Sequence, residues 1–184
     1  MWSVSYKITN VSPYSSTIMS YTVTFYLADI SKLRSVMGSK NASLLKEMEE
    51  PDDDEIQFVE TLLMGTKQDE DYGADYGYTL ERIVAHLFGD CENVPEFEGL
   101  RCGEFDDPPL DWLLLSGPPV TLLPYGDFPY VGHLFLKDIQ KMLKEWKACQ
   151  IDEYTPEIQT QIEGMLGVFK NAVKKKKDVI SFYY

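Results

Sequence analysis

The chain reads as a mixed α/β (α+β) domain, a small sheet packed with several helices in layers, and three observations carry that expectation. Apolar residues alternate at period two near the start, "YTVTFYLA" from Tyr21, and a hydrophobic strand, "DVISFYY" from Asp178, ends the chain. Between them apolar residues recur at helical spacing in several segments, each with its own start or stop signal. The length, 184 residues, fits one domain with a core, and 44% hydrophobic residues with 13% aromatic can fill it. A layered arrangement, helices on a small sheet with the first and last strands as neighbours, follows from the element order.

Met19 opens the first strand, with Tyr21, Val23, Phe25 and Leu27 facing one way and Thr22, Thr24 and Tyr26 the other. Residues 1–18 are open to two readings: "WSVSYKIT" alternates as an extra strand would, or the segment is an N-terminal appendage to a domain spanning 19–184. Asp29 is an expected N-cap for a helix carrying Ile30, Leu33 and Met37 and stopping at Gly38. Asn41 caps a second, with Leu44, Leu45 and Met48 as its stripe. "DDDE" before Ile56 places carboxylates at the start of a third, whose stripe is Ile56, Val59, Leu62 and Leu63 and whose stop is Gly65. "TKQDEDYGADYGY" reads as a polar loop, and Thr79 as the N-cap of the next helix, with Leu80, Ile83, Val84 and Leu87 on its apolar side. Asp90 to Asp107 carries no assignable pattern.

Six of the ten prolines lie between Pro108 and Pro129. They predict a rigid, extended connection whose apolar residues line the core. "VGHLFL" reads as a short strand, and Ile139, Met142, Leu143 and Trp146 mark an amphipathic helix. Thr155 as N-cap with Pro156 at the first helical position is the strongest helix start in the chain. That helix buries Ile158, Ile162, Met165, Leu166, Phe169 and Val173, and Lys174 to Lys177 sit where its dipole favours cations.

Charge is unevenly spread. The net charge is −13, and Glu47 to Asp75 holds twelve acidic residues against Lys67 alone. That balance disfavours nucleic-acid binding, which needs a basic face, and favours a basic protein partner. No apolar run reaches the roughly 18 to 20 residues of a membrane span, and no secretory signal is visible, so the expectation is a soluble, cytoplasmic protein away from membranes. Cys91, Cys102 and Cys149 are odd in number and lack metal-ligand spacing, so no disulfide framework, metal site or cofactor is expected.

Phosphate-binding glycine loops and a G-x-S-x-G elbow are absent from the sequence. The acidic runs read as solvated helix starts and loops. One constellation suits proton transfer: Asp127 orienting His133, with Tyr125 or Tyr130 beside them, though a lone histidine in an apolar strand more often serves structure. For partner binding the candidates are Tyr72, Tyr76 and Tyr78 among Asp69, Glu70, Asp71 and Asp75, aromatic anchors in a field of carboxylates.

The quoted order of elements carries a resemblance. "GPPVTLLPYG", "LKDIQKMLKEW" and "IDEYTPEI" followed by a long helix and an apolar strand resemble the YfbM-like family of uncharacterised bacterial proteins. "MSYTVTFYLADISKLRSVMGSKNASLLKEM" with "YGYTLERIVAHLFG" is similar to a related bacterial domain of unknown function. The resemblance covers most of 19–183 and implies a layered α/β fold, with no activity, cofactor or site residue attached. The leading expectation is a non-enzymatic interaction protein whose acidic face binds a basic protein, in its specific form an immunity-type protein that neutralises a toxin. The alternative is a small enzyme or ligand-binding domain with a pocket at the proline-rich stretch 118–133, and a subunit of a homo-oligomer is a third possibility.

Overall fold

The structure, a computed structural model, describes residues 23–48, 55–89, 116–124, 129–146 and 156–184. The expectations for residues 1–22 and 90–115, for the Thr155 cap and for the three cysteines concern residues outside those described. Strand β1 (Val23–Ala28) is followed by helices α1 (Ile30–Val36), α2 (Ala42–Met48) and α3 (Ile56–Met64), a 3-10 turn (Glu70–Tyr72) and α4 (Gly73–Phe88). Then come β2 (Tyr130–Leu134), α5 (Leu136–Trp146), α6 (Pro156–Lys175) and β3 (Asp178–Tyr183). The sheet has three strands in the order β1-β3-β2, antiparallel throughout. The last strand therefore occupies the centre, with the first as its neighbour.

Both faces of this sheet are buried. Val23, Phe25 and Leu27 of β1, Leu134 of β2, and Val179 and Tyr183 of β3 pack against α5 and α6. Tyr26 and Ala28, Val131, and Ile180 and Phe182 pack against α1 to α4 on the other side. The alternation of β1 thus separates two apolar cores rather than a core from solvent, and Tyr26, on the face opposite Phe25, is buried as well. Its hydroxyl solves the polarity problem by donating to Glu81 at 2.9 Å.

The short helices form where their caps predict. Asp29 accepts from the Lys32 N–H at 2.9 Å and Asn41 from the Leu44 N–H at 3.1 Å. At the other ends, Gly38 and Gly65 both adopt left-handed conformations, φ 67° and 68°. They also meet each other: a Cβ on Gly65 would lie 2.9 Å from the Gly38 Cα. That contact lets the loop after α1 deliver the Gly38 and Lys40 N–H groups to the Leu62 and Leu63 carbonyls at the end of α3.

One element starts far from its expected place. Of the segment read as a polar loop, Thr66 to Asp69 is loop, but Glu70 to Tyr78 forms the 3-10 turn and the start of α4, and Thr79 is a buried interior residue, not a cap. Two glycines weaken a helix by about 1 kcal/mol each relative to Ala. Here Gly73 and Gly77 lie on the buried side with Tyr76, Leu80, Ile83 and Val84, so packing offsets the propensity.

A single carboxylate joins the two helical layers. Asp178, the first residue of β3, accepts from the Ile30 N–H at 3.2 Å and from the Leu136 N–H at 2.9 Å. Those are the first residues of α1 and α5, one helix from each side of the sheet.

Candidate functional site

Two regions gather chemistry. The first is the acidic turn leading into α4. Asp69 caps it, accepting from the Asp71 N–H at 3.1 Å, and Asp69, Glu70 and Asp71 are exposed while Asp75 is half-buried. Tyr72 is 47% exposed and Tyr78 46%, an unusual state for rings of that size. Each ring is nonetheless held. Tyr72 leans on Phe58 at 5.4 Å between centroids, and Tyr78 stacks on Tyr184 at 5.7 Å. Asp75 and Tyr78, three residues apart, share one side of α4. Lys67, Gln68, Asp69, Glu70 and Asp71 line a groove of about 500 Å³.

Tyr76 does not belong to this surface. It is buried, edge-on to Phe58 at 5.3 Å, and its phenolic oxygen accepts from the Asp69 N–H at 3.1 Å. The sequence grouped it with Tyr72 and Tyr78 because the helix start was placed too late. At the true start, Tyr76 falls in register with Leu80 and Ile83 on the buried side of α4.

The charge layout extends beyond the turn. Over 29–48 and 55–89, the segments holding α1 to α4, nine carboxylates face six basic residues. Over 136–146 and 156–177, holding α5 and α6, eight lysines face four carboxylates. The sheet thus divides a net-negative layer from a net-positive one.

The Glu81 carboxyl has a displaced proton equilibrium. Burial pushes its carboxyl above the ordinary value of 4.5, and the hydrogen bond from Tyr26 offsets part of that. A carboxyl raised in the folded state stabilises the fold below its unfolded value and loses that contribution as pH rises through the folded value. Glu81→Gln keeps the acceptor without the charge. Its thermal midpoint should match the wild type in acid, below about pH 4.5, and exceed it increasingly toward neutral pH, as a pH series of melting curves would show.

The second region surrounds the proline-rich segment. Ser116 exchanges hydrogen bonds with the main chain of His133, at 2.7 and 2.9 Å. The Gln68 side chain grips the segment twice, donating to the Thr121 carbonyl at 3.0 Å and accepting from the Leu123 N–H at 2.8 Å. Arg34 donates its Nε–H to the Pro119 carbonyl at 2.8 Å. Val120 and Leu122 pack on the core beneath, so the segment is a tied-down connection. Between it and the junction of α1 with α3 lies a cleft of about 710 Å³, lined by Arg34, Met37, Leu62, Gln68, Val120 and Thr121 among others.

His133 is not among the described residues of that cleft. Its Nδ1 lies 2.7 Å from the Gly117 carbonyl, which can only accept, so Nδ1 carries the proton. The ring stands edge-on to Phe135 at 5.2 Å. Asp127 and Tyr125 lie outside the described residues, while Tyr130 stacks on Tyr183 at 6.2 Å in the sheet. His86 is 3.6 Å from the exposed Glu47 carboxylate. Among the described residues no group of three or more His, Cys, Asp or Glu is placed to hold a metal ion, and no helix is long and apolar enough to cross a membrane.

Residues 19–184 match the model of the family DUF7691, described as a domain of unknown function. No curated protein and no solved structure shows significant similarity to the chain.

Proposed function

The chain belongs to the DUF7691 family, and we propose that it is a non-enzymatic interaction protein whose acidic surface at the start of α4 receives a basic protein partner. The observation that supports this reading is the pair of half-exposed rings, Tyr72 and Tyr78, held by Phe58 and Tyr184 beside Asp69, Glu70 and Asp71. Rings fixed before binding lose little freedom on contact, and their faces attract lysine or arginine side chains. The surrounding carboxylates steer such a partner and suppress acidic competitors. In its specific form the protein is an immunity-type inhibitor of a basic toxin in the bacterial cytoplasm.

The test compares the wild-type chain with a triple variant, Asp69→Asn with Glu70→Gln and Asp71→Asn, and with Tyr78→Ser, as baits at low and high salt. A genuine partner is basic, elutes as salt screens the charges, and is retained at least about tenfold less by the triple variant and by Tyr78→Ser. Equal retention by all three baits would remove the acidic surface from consideration.

A second reading is favoured by one observation: the cleft of about 710 Å³ sits against the proline-rich segment, where a ligand-binding domain would have its pocket. Its catalytic version, built on Asp127, His133 and Tyr125, gains no support, because the His133 ring is engaged with Gly117 and Phe135.

A further inference from the structure

The described lining of the cleft beside the proline-rich segment contains one charged side chain, Arg34, and no carboxylate. In a chain with thirty acidic residues that lining spares an entering anion the repulsion it would meet at the acidic turn before α4. Building on the ligand-binding reading, we propose that the cleft takes a small molecule joining an oxyanion head, carboxylate or phosphate, to an apolar body, and that Arg34 grips the head.

Three features support this assignment. The Arg34 guanidinium is fixed by its Nε–H bond to the Pro119 carbonyl, and its carbon lies 5.4 Å from the Phe135 ring centroid. Its remaining N–H donors have no partner among the described residues. A planar fork held by its inner edge and face presents an outer edge suited to a two-oxygen anion. Next, the apolar part of the lining, Met37, Leu62, Pro118 and Val120, gives a hydrocarbon body a surface to cover, in a volume typical of ligand pockets, about 300 to 1,000 Å³.

Finally, the cleft is poorly suited to a cation. The ends of α1 and α3 meet at its floor, and helix C-termini ordinarily offer free carbonyls to positive groups. Here the Thr61 carbonyl accepts from the Gly65 and Thr66 N–H groups, and the Leu62 carbonyl from Gly38. These bonds, the last made by the loop that brings Gly38 against Gly65, occupy carbonyls that a cation would otherwise use.

The experiment titrates the 15N-labelled full-length chain with hexanoate, hexyl phosphate and hexan-1-ol. Both anions should shift the amides of Gly38, Gly65, Thr66 and Thr121 together with the Arg34 Nε–H, and hexan-1-ol should bind at least about tenfold more weakly. Arg34→Gln should weaken hexanoate by a similar factor while the β3 amides stay in place. Equal binding of hexan-1-ol and hexanoate, or undiminished hexanoate binding by a folded Arg34→Gln, overturns the oxyanion assignment and leaves an apolar ligand cleft standing. No shift of the cleft amides by any of the three at about 10 mM removes the ligand-binding reading as well. The comparison of anion with alcohol on the wild type needs no variant, so it decides the matter even where Arg34→Gln fails to fold.

Discussion

Phe169→Ala and Phe182→Ala should each lower the unfolding free energy by about 3 to 5 kcal/mol, the usual cost of emptying a fully buried aromatic site. Phe169, on α6, is fully buried edge-on to Phe25 at 6.2 Å, in the core beneath α5 and α6. Phe182, on β3, is fully buried edge-on to Tyr26 at 5.8 Å, in the core beneath α1 to α4. These are separate apolar clusters on opposite faces of one sheet. Even so, both variants should unfold in a single transition, because β3 contributes to both clusters along its length. Val179 and Tyr183 feed one and Ile180 and Phe182 the other, so neither face can come apart without releasing the strand at the sheet's centre. Urea titrations followed by circular dichroism and by fluorescence should therefore coincide. Two separated steps in either variant would mean that the helical layers are independently stable.

Asp178→Ala should cost about 2 to 3 kcal/mol, the sum of two lost helix caps. The carboxylate bonds the first N–H of α1 with one oxygen and that of α5 with the other, at positive ends of both helices. Asp178→Asn retains one acceptor oxygen and gives up the charge, so its loss should fall near half of the alanine value. Asp29→Ala provides the contrast. That side chain caps α1 alone, from an exposed position, and its removal should cost about 1 kcal/mol. Urea midpoints for the three variants rank the contributions. An Asp178→Ala value no larger than that for Asp29→Ala would show that the bridge between the layers adds nothing.

The parts of this fold that could be read in advance rest on contacts a few residues apart. Asp29 and Asn41 act as caps because their oxygens reach an N–H three residues on. Pro156 opens α6 because its fixed φ suits a first helical position and needs no donor there. The alternation after Tyr21 and the hydrophobic run after Asp178 identified strands that pair, Val23 with Tyr183 through Ala28 with Asp178. At the acidic turn, the same local reasoning found Tyr72 and Tyr78 beside carboxylates, and the structure leaves both half-exposed.

What sequence proximity could not supply was the identity of each surface's covering. Alternation placed Tyr26 on the face opposite Phe25, and only the fold shows that a helical layer lies over that face too. Tyr76 sits in a segment rich in glycine and acid, and it turns inward only because α3 offers Phe58. The cleft depends on contacts across wide separations: Arg34 with Pro119, Gln68 with Thr121 and Leu123. No periodicity announces these, since each joins a side chain to backbone atoms that any residue would carry. The sequence by itself determined where most of the helices lie, how charge is shared along the chain and that strands would form near its start and at its end. Only the tertiary structure decided that both faces of the sheet are buried, that Asp178 ties the layers together, and that Arg34, held by Pro119 and Phe135, lines a cleft free of described carboxylates. Caps and periodic patterns act over a few residues, whereas burial and long-range hydrogen bonds exist only once distant faces have met.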